Sequence, residues 1–324
     1  MRLEHQILIA VALDLLLGDP QWLPHPVRAI GGLAAGLERP ARRLVPDERA
    51  AGAVVALAVY LAAGLAAWGS IRVARLIHPA VADAVSIAVI YSTIAARDLV
   101  RHSMAVFHPL ISGRLPAARQ NLSRIVGRDT EQLDAAGIVR AAVESVAEST
   151  VDGVTAPLFF AVIAGPVGAM LYRAINTLDS MFGHQDARYR RFGFAAARID
   201  DAANYLPARL TAPLICLAAL LLGQRPWHAL RILARDGRKH ASPNAGLSEA
   251  AVAGALGVQL GGVNSYDGQP VETPAIGDPL VSLAPRHIPW ANALMLLAAG
   301  LFLATALSLR MAAIHCCPSW RTAA

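Results

Sequence analysis

The strongest chemical signal in this sequence is one arginine followed by three acids at four-residue intervals: Arg140, Glu144, Glu148 and Asp152. On an α-helix this spacing places all four side chains on one face, where neighbouring acids repel by about 0.2–0.5 kcal/mol per pair. A metal ion would relieve that repulsion, and so would arginines such as Arg140. Because Mg²⁺ is usually bound by one or two carboxylates together with substrate phosphates, we predict that the three acids hold Mg²⁺. The alternative is a solvated helix face.

A second set of acids and amides lies between two apolar stretches of the chain: Asn176, Asp179, Asp200, Asp201 and Asn204. Asn176 and Asp179 are three residues apart, and Asp200 and Asn204 are four apart, so each pair shares one helix face. We interpret this set as the second half of a metal or substrate site, with Asp179 as a further metal ligand. The alternative is that these residues cap helices and pair with nearby arginines.

A third polar segment, residues 235–246, combines basic side chains with a glycine turn ahead of a helix that should start near Gly246. Free N–H groups at a helix N-terminus bind phosphate well. The segment therefore predicts an anion site built from Arg238, Lys239, His240, Ser242 and Asn244. The alternative is a cationic loop that touches lipid headgroups.

The elements that position these residues must be membrane helices. The chain has 324 residues, of which 55% are hydrophobic and only 16% charged, and its mean hydropathy is +0.45. Several runs with little or no charge approach the roughly 20 residues that cross a bilayer. We predict an all-α, polytopic membrane protein, a single domain over residues 1–324 with four to six membrane-embedded helices. The expected embedded segments are residues 5–17, 50–71, 79–96, 151–172, 205–223 and 289–309.

The polar motif segments between these helices are residues 18–49, 97–150, 173–204 and 224–288. Counting Lys and Arg places the first, second and fourth of them in the cytoplasm by the positive-inside rule. The same count sends residues 173–204 outside, although they are dense in reactive side chains. Pro157, Gly165 and Pro166 interrupt the apolar run before them, and irregular backbone is tolerated at membrane depth where it lines a polar cavity. We therefore expect residues 151–172 and 205–223 to be broken or re-entrant, returning residues 173–204 to the cytoplasmic side.

The sequence lacks the motifs that are typical of several functional classes. Lys239 is the only lysine and follows Arg238, so no Gly-Lys-[Ser/Thr] phosphate loop exists. There is no Gly-x-Gly-x-x-Gly dinucleotide motif and no His-Glu-x-x-His metalloprotease motif. The net charge of +6 is scattered between apolar segments without interleaved aromatic residues, so we expect no nucleic-acid partner.

Six stretches, in order, resemble the adenosylcobinamide-phosphate synthase family of cobalamin biosynthesis, whose members are called CobD or CbiB. Together they extend over most of residues 14–268: DLLLGDPQWLPHPVRAIG, AAVESVAESTVDGVTAPLFF, MLYRAINTLDSMFGH, RIDDAANYLPARLTA, RDGRKHASPNAGLSEAAVAGAL and NSYDG. The segments between them resemble the family only in being apolar helices.

The resemblance implies ATP- and Mg²⁺-dependent formation of an amide bond. The family joins (R)-1-aminopropan-2-ol O-phosphate, or ethanolamine phosphate, to adenosylcobyric acid in the bacterial cytoplasmic (inner) membrane. The expected partners are thus these corrinoid and amino alcohol phosphate substrates, membrane lipid, other late cobalamin-assembly enzymes and a second copy of the chain. The expected cofactor is Mg²⁺, with ATP as co-substrate, at a cytoplasmic active site.

We infer a role in this amide-forming reaction for each of the three polar motifs. The metal ligands would be Glu144, Glu148, Asp152 and Asp179. Arg238, Lys239 and His240 would grip a phosphate, and Asp200 or Asp201 would accept a proton from the incoming ammonium. Two alternatives remain open: a Mg²⁺-dependent membrane prenyl or phosphatidyl transferase, although its paired Asp-x3-Asp signatures are missing, and a non-enzymatic membrane signalling protein.

Overall fold

The computed structural model describes residues 1–20, 25–183, 186, 188–266 and 268–316. Residues 21–24 of the first resembling stretch and Asp267 of the last lie outside them. Within the described residues, five helical segments are long and apolar enough to cross a membrane, judged by length and composition: Glu48–Ile77, Pro79–Ile111, Ala135–Phe182, Phe194–Leu221 and His287–Cys316. The prediction of an all-α polytopic protein with four to six such helices is therefore confirmed.

The helices and strands follow in chain order, and we label them as follows: α1 Leu3–Leu17, α2 Pro26–Leu44, α3 Glu48–Ile77, α4 Pro79–Tyr91, α5 Ala96–Ile111, α6 Leu115–Leu122, α7 Ala135–Thr150, a π-helical turn Val151–Thr155, α8 Ala156–Phe182, α9 Phe194–Leu221, α10 Pro226–Asp236, α11 Ala245–Leu256, β1 Leu260–Tyr266, β2 Gln269–Ile276 and α12 His287–Cys316. Helix α1 is present at the predicted first segment but has only 15 residues, fewer than a full span needs.

The chain divides into two compact units. The first unit comprises Met1–Ala95, Ala156–Asn204 and Thr305–Ala324, and the second comprises Ala96–Thr155 and Tyr205–Ala304. The first unit packs α2, α3 and α8 around a core that includes Val59, Leu178 and Phe182. In the second unit, α11 is almost wholly buried and packs closely on α10, because Gly254 has no side chain to strike the Ala229 backbone.

The polar segment 173–204 is mostly helical, which corrects its prediction as a connection. Helix α8 continues to Phe182 and α9 begins at Phe194. The remaining connection is anchored in the first unit by buried Glu38, which receives hydrogen bonds from Arg188 (3.1 Å) and Arg42 (3.1 Å). The acids and amides of this segment therefore lie on helices, where their spacing fixes their neighbours.

The predicted break before this segment is confirmed at one place. Gly165 has φ 65° and ψ −159°, directly before Pro166, so α8 is kinked there. Arg310 donates to the carbonyl of Val162 (2.9 Å), one of the acceptors that the kink releases. Helix α9, in contrast, continues through Pro207 and Pro213, so the expectation that residues 205–223 are broken is wrong.

Residues 263–289 are rich in glycine and proline, a composition that is typical of loops. Instead β1 and β2 form an antiparallel hairpin, with Asn264 opposite Val271 and an irregularity between Leu260 and Gly262. The hairpin belongs to the second unit, where it packs against α7 and α11. It supplies backbone groups to the site described next.

Candidate functional site

The first acid of the α7 stripe, Glu144, is tied to the hairpin of the second unit. Its Oε1 accepts a hydrogen bond from the Gly261 N–H (2.7 Å), and its Oε2 lies 2.7 Å from Nη1 of Arg128. Arg140 donates instead to the carbonyls of Gly261 (2.5 Å) and Val263 (3.0 Å). Arg128, rather than Arg140, therefore compensates the charge of Glu144.

Asn264 and Ser265, the first two residues of the Asn-Ser-Tyr-Asp-Gly stretch, have a structural role in this unit. The Oδ1 of Asn264 accepts from Arg128 (2.7 Å) and Arg140 (3.1 Å), and so holds both guanidinium groups against β1. Asp129 fixes the other end of the strand by accepting from the Ser265 hydroxyl (2.7 Å). These contacts hold Arg128 beside the acids of α7.

Glu144, Glu148 and Glu249 form what we call the glutamate cluster. Glu144 and Glu249 are buried, whereas the side chain of Glu148 is exposed. Glu148 lies within electrostatic reach of His240, Arg128 and Glu144. Burial, reinforced by the charges of Glu148 and Glu144, raises the pKa of Glu249 well above its usual value. The cluster thus combines one accessible carboxylate with two buried ones.

His240 faces this cluster from the loop between α10 and α11. Its Nδ1 accepts a hydrogen bond from the Ser242 N–H (3.0 Å), which orients the ring. The loop passes so close to α11 that a Cβ on Gly246 would lie 2.6 Å from the Cβ of His240. Glycine at position 246 is therefore a condition for placing the imidazole near Glu148.

The two other basic side chains predicted to grip phosphate lie in different surroundings. Lys239 pairs with buried Asp236 (2.7 Å), which also receives two hydrogen bonds from Arg235 (2.7 and 2.6 Å). Arg235 therefore lowers the pKa of Asp236 from its usual value, with Lys239 adding to the effect. Arg238 is exposed. Lys239 thus serves to hold the end of α10.

The N-terminus of α11 is capped largely by its own residues. Ser242 Oγ accepts from the N–H groups of Asn244 and Ala245, each at 3.3 Å. Asn244 is buried and its Oδ1 accepts from Arg209 (3.1 Å). Ser242 and Asn244 therefore shape the loop that carries His240.

Asp152, the last acid of the stripe, lies in the π-helical turn and is half-buried. A π turn has more residues per turn than an α-helix, so Asp152 does not continue the stripe of Glu144 and Glu148 with α-helical phase. The turn is held by Thr155, whose hydroxyl donates to the Thr150 carbonyl (3.3 Å) and contacts the Thr211 hydroxyl (2.7 Å). Isolated π turns of this kind are frequent at functional sites.

The first unit contains a separate set of acids, Asp179, Asp200 and Asp201, which we call the aspartate cluster. Asp200 is buried, and its Oδ2 accepts from the Asn204 amide (2.9 Å), whose Oδ1 in turn accepts from the Tyr172 hydroxyl (2.8 Å). The Asn176 side chain lies near Asp200 and favours its charged form. The predicted pairs Asn176 with Asp179 and Asp200 with Asn204 therefore meet at one place.

Two buried polar atoms around Asp200 have no hydrogen-bond partner among the described residues: its own Oδ1 and the hydroxyl oxygen of Tyr60. Tyr60, on α3, lies within electrostatic reach of both Asp200 and Asp179. Asp201 differs, because it is half-buried and pairs with Arg198 (3.2 Å). Of the two aspartates proposed from sequence as proton acceptors, Asp200 has the uncommitted oxygen.

The four predicted metal ligands are divided between the units. Glu144, Glu148 and Asp152 belong to the second unit and Asp179 to the first. Among the described residues, no three His, Cys, Asp or Glu side chains are placed to hold a metal ion together. A cation at the glutamate cluster would therefore need ligands from a substrate as well.

Sequence reasoning left Arg128, Asn264, Glu249 and Tyr60 out of the predicted site. Arg128 and Asn264 lie in segments without periodicity, so spacing could not connect them to α7. Glu249 carried a usable signal, because it is a single charge within the apolar run of α11. A lone charge in such a run is costly unless it has partners or a function.

Comparison with known proteins assigns the chain to a family. Residues 7–295 match the model of the family described as CobD/Cbib protein. The chain belongs to this family. It is 55% identical over 278 residues to cobalamin biosynthesis protein CobD of Geobacter metallireducens, covering 86% of this chain and 87% of the relative.

Two further relatives agree. Cobalamin biosynthesis protein CobD of Leptospira interrogans is 50% identical over 291 residues, covering 90% of this chain and 92% of the relative. Cobalamin biosynthesis protein CbiB of Salmonella typhimurium is 47% identical over 305 residues, covering 93% and 96% respectively. No solved structure matches the chain. The resemblance expected from the motifs is confirmed, and these relatives support a role in cobalamin biosynthesis.

Proposed function

We propose that this protein is an adenosylcobinamide-phosphate synthase. It would join the propionate carboxylate of adenosylcobyric acid to the amine of (R)-1-aminopropan-2-ol O-phosphate or ethanolamine phosphate, with ATP as co-substrate. One carboxylate oxygen leaves with the γ-phosphoryl group of ATP, and the ammonium loses two protons as the C–N bond forms. The observation that carries the proposal is the glutamate cluster, in which accessible Glu148 lies near Arg128 and His240.

The donor set fits Mg²⁺ when phosphate oxygens complete the coordination. Mg²⁺ usually keeps several waters and is bound by one or two carboxylates plus substrate phosphates, so no three-carboxylate cage is required. Glu148 is accessible, and Glu144 and Glu249 lie within its electrostatic reach. Glu148 with one of these neighbours would hold the ion, which would supply charge neutralisation at the transferring phosphoryl group. Asp152 and Asp179 remain predictions as ligands.

Arg128 and His240 support phosphate binding beside the carboxylates. The Arg128 guanidinium is held by Glu144 and Asn264, so its position is fixed before any ligand binds. Fixed guanidinium groups suit anionic oxygens because their N–H groups match phosphate geometry. Arg238 is exposed and remains a proposed phosphate ligand. Lys239 instead pairs with Asp236 and holds the end of α10.

We assign binding of the substrate's ammonium group to the aspartate cluster because the side chains of this cluster are acidic. The strongest charged neighbours of Asp200 are two other carboxylates, Asp179 and Asp201. Within the part of the chain that the structure describes, its Oδ1 and the Tyr60 hydroxyl are buried without a hydrogen-bond partner. A primary ammonium group would supply N–H donors to such oxygens and offset the negative charge. Asp200 would then accept a proton from the ammonium and leave the amine nucleophilic.

We place this chemistry on the cytoplasmic side of the bacterial inner membrane, since ATP and the corrinoid are found there. Ser180 is exposed on α8 one residue beyond Asp179, so a Ser180→Cys variant reports on the location of the aspartate cluster. We expect a membrane-impermeant maleimide to label it from the cytoplasmic side in inverted vesicles. Labelling only from the periplasmic side would contradict the placement.

The direct test is synthesis by purified protein reconstituted in lipid nanodiscs. Adenosylcobyric acid, either amino alcohol phosphate, ATP and Mg²⁺ should yield the corresponding amide by mass spectrometry and release one ADP per amide. Omitting the amine should abolish the product. Growth rescue of a strain unable to make cobinamide phosphate separates this proposal from its rivals. A prenyl or phosphatidyl transferase would not rescue, and a signalling protein would yield no amide in the reconstituted assay.

A further inference from the structure

The first unit contains a half-open cavity of about 1260 Å³ that plays no part in the proposed reaction. It lies where α3 ends and α8 is kinked, and its lining includes Arg72, Arg75, Gly165 and Arg310. Irregular backbone within a membrane helix is tolerated where it lines a cavity or is covered by protein. The kink at Gly165 thus forms part of the wall of this cavity.

One arginine and two carboxylates that line this cavity already have ionic or hydrogen-bond partners. Arg310 is 8% exposed, pairs with Glu4 (2.9 Å) and donates to the Val162 carbonyl. Asp83 accepts a hydrogen bond from Gln6 (2.7 Å). Asp83 also pairs with the N-terminal ammonium of Met1 (2.8 Å) and lies within electrostatic reach of Arg75.

Arg72 and Arg75 are exposed on the last two turns of α3. In the part of the chain that the structure describes, neither forms an ion pair within 4.0 Å. The Arg72 guanidinium lies 5.7 Å from the Trp68 ring centroid. Tryptophan and arginine near the end of a membrane helix mark the depth of the lipid headgroups. The cavity thus offers two accessible cations at that depth.

We infer that this cavity binds the phosphate headgroup of an anionic phospholipid, with its acyl chains against the apolar lining. Large apolar side chains lie exposed beside the arginines, among them Leu8, Ile163 and Met311. Inorganic phosphate would satisfy the guanidinium groups but would leave these apolar side chains uncovered. A phospholipid covers both surfaces, because its headgroup meets the arginines while its acyl chains pack against the apolar side chains.

The test uses full-length protein in nanodiscs containing phosphatidylglycerol and phosphatidylcholine, followed by native mass spectrometry of the released complexes. We expect wild-type protein to retain phosphatidylglycerol preferentially. Because each arginine near an anionic surface contributes about fivefold to binding, R72Q/R75Q should weaken retention roughly 30-fold. R72K/R75K keeps the charge and should keep the preference. The control R114Q/R124Q removes two exposed arginines outside the cavity and should behave as wild type.

Two results would overturn the inference. One is equal retention of the two lipids by wild-type protein, a result that needs no variant to fold. The other is loss of retained phosphatidylglycerol on adding inorganic phosphate at millimolar concentration, which would identify a soluble anion as the occupant. Amide synthesis is a separate readout, so neither result bears on the proposed reaction.

Discussion

The two acidic clusters differ in what surrounds them. In the second unit, Glu144 and Glu148 share their surroundings with the guanidinium of Arg128, and His240 lies near Glu148. In the first unit, Asp200 accepts a hydrogen bond from the Asn204 amide and lies near Asn176, and its strongest charged neighbours are further carboxylates. Neutral dipoles solvate a carboxylate without cancelling its charge.

This difference suggests different uses. Arginine beside the glutamates gives a cluster that is stable alone and can still attract phosphate and its metal ion. A carboxylate that is solvated by amides, as Asp200 is, keeps its charge and favours a positively charged ligand. Comparing variants of the two clusters can therefore separate phosphate handling from amine handling.

The largest effect is expected from Glu148→Gln. The change keeps the shape of the side chain but removes the accessible charge, so we expect amide synthesis to fall by about 10²–10³-fold. Raising the pH should not restore it, because the lost group is a charge and not a proton acceptor for the amine. The matched control is Glu131→Gln at an exposed position. Near-normal synthesis by Glu148→Gln would remove Glu148 from the mechanism.

A loss of about 100-fold in kcat/KM for the amine is expected from Asp200→Asn, in the range of general-base contributions. This variant should recover partly at high pH, where more of the amine is already neutral in solution. Asp201→Asn is the paired comparison, since Asp201 is half-buried and engaged by Arg198. We expect it to change kcat/KM by less than about fivefold. Equal losses in the two variants would show that the uncommitted oxygen of Asp200 has no special role.

The structural difference between the clusters is measurable as stability in detergent. Arg128→Gln leaves Glu144 buried without its cation and should destabilise the protein by roughly 3–5 kcal/mol. The double variant Arg128→Gln, Glu144→Gln removes both charges and should lose less. In the first unit, Arg198→Gln breaks an exposed pair with Asp201 and should cost at most about 1 kcal/mol. Thermal unfolding of the four proteins tests the order, and a double variant weaker than Arg128→Gln would contradict it.

The smallest expected effect is a pH-dependent change in the unfolding temperature when Glu249 is replaced. Burial and two neighbouring carboxylates raise the pKa of Glu249, so the folded protein binds its proton more tightly than the unfolded chain does. Stability from this group is present below the ordinary glutamate pKa and is lost as pH rises through the folded pKa. Glu249→Gln should therefore unfold at a higher temperature than wild type at pH 8, with a smaller difference at pH 5. Glu131→Gln should show no such trend, and an unchanged difference across this range would count against the assignment.

The sequence predicted the parts of the site that depend on helical spacing. The four-residue interval correctly brought Glu144 and Glu148 onto one face of α7, and Gly165 with Pro166 marked the kink of α8. The spacing of Asn176 and Asp179 correctly indicated a helix, but the segment 173–204 was placed between the membrane helices, whereas α8 extends to Phe182 and carries both residues.

Other features had no local signal. Nothing in residues 151–155 distinguishes a π turn from an α-helix, so the changed phase at Asp152 was not foreseen. Arg128 meets Glu144 through tertiary folding, and the hairpin that holds both was hidden by its glycines and prolines. These contacts depend on packing between distant segments, which spacing along the chain does not encode.

The Ser242 N–H that engages His240 has a directional consequence. An acceptor at Nδ1 leaves the neutral ring with its hydrogen on Nε2. That nitrogen can donate a hydrogen bond to a phosphate oxygen, but it has no free lone pair with which to accept one. One backbone amide in the loop before α11 therefore makes the Nε2 side of this ring a hydrogen-bond donor.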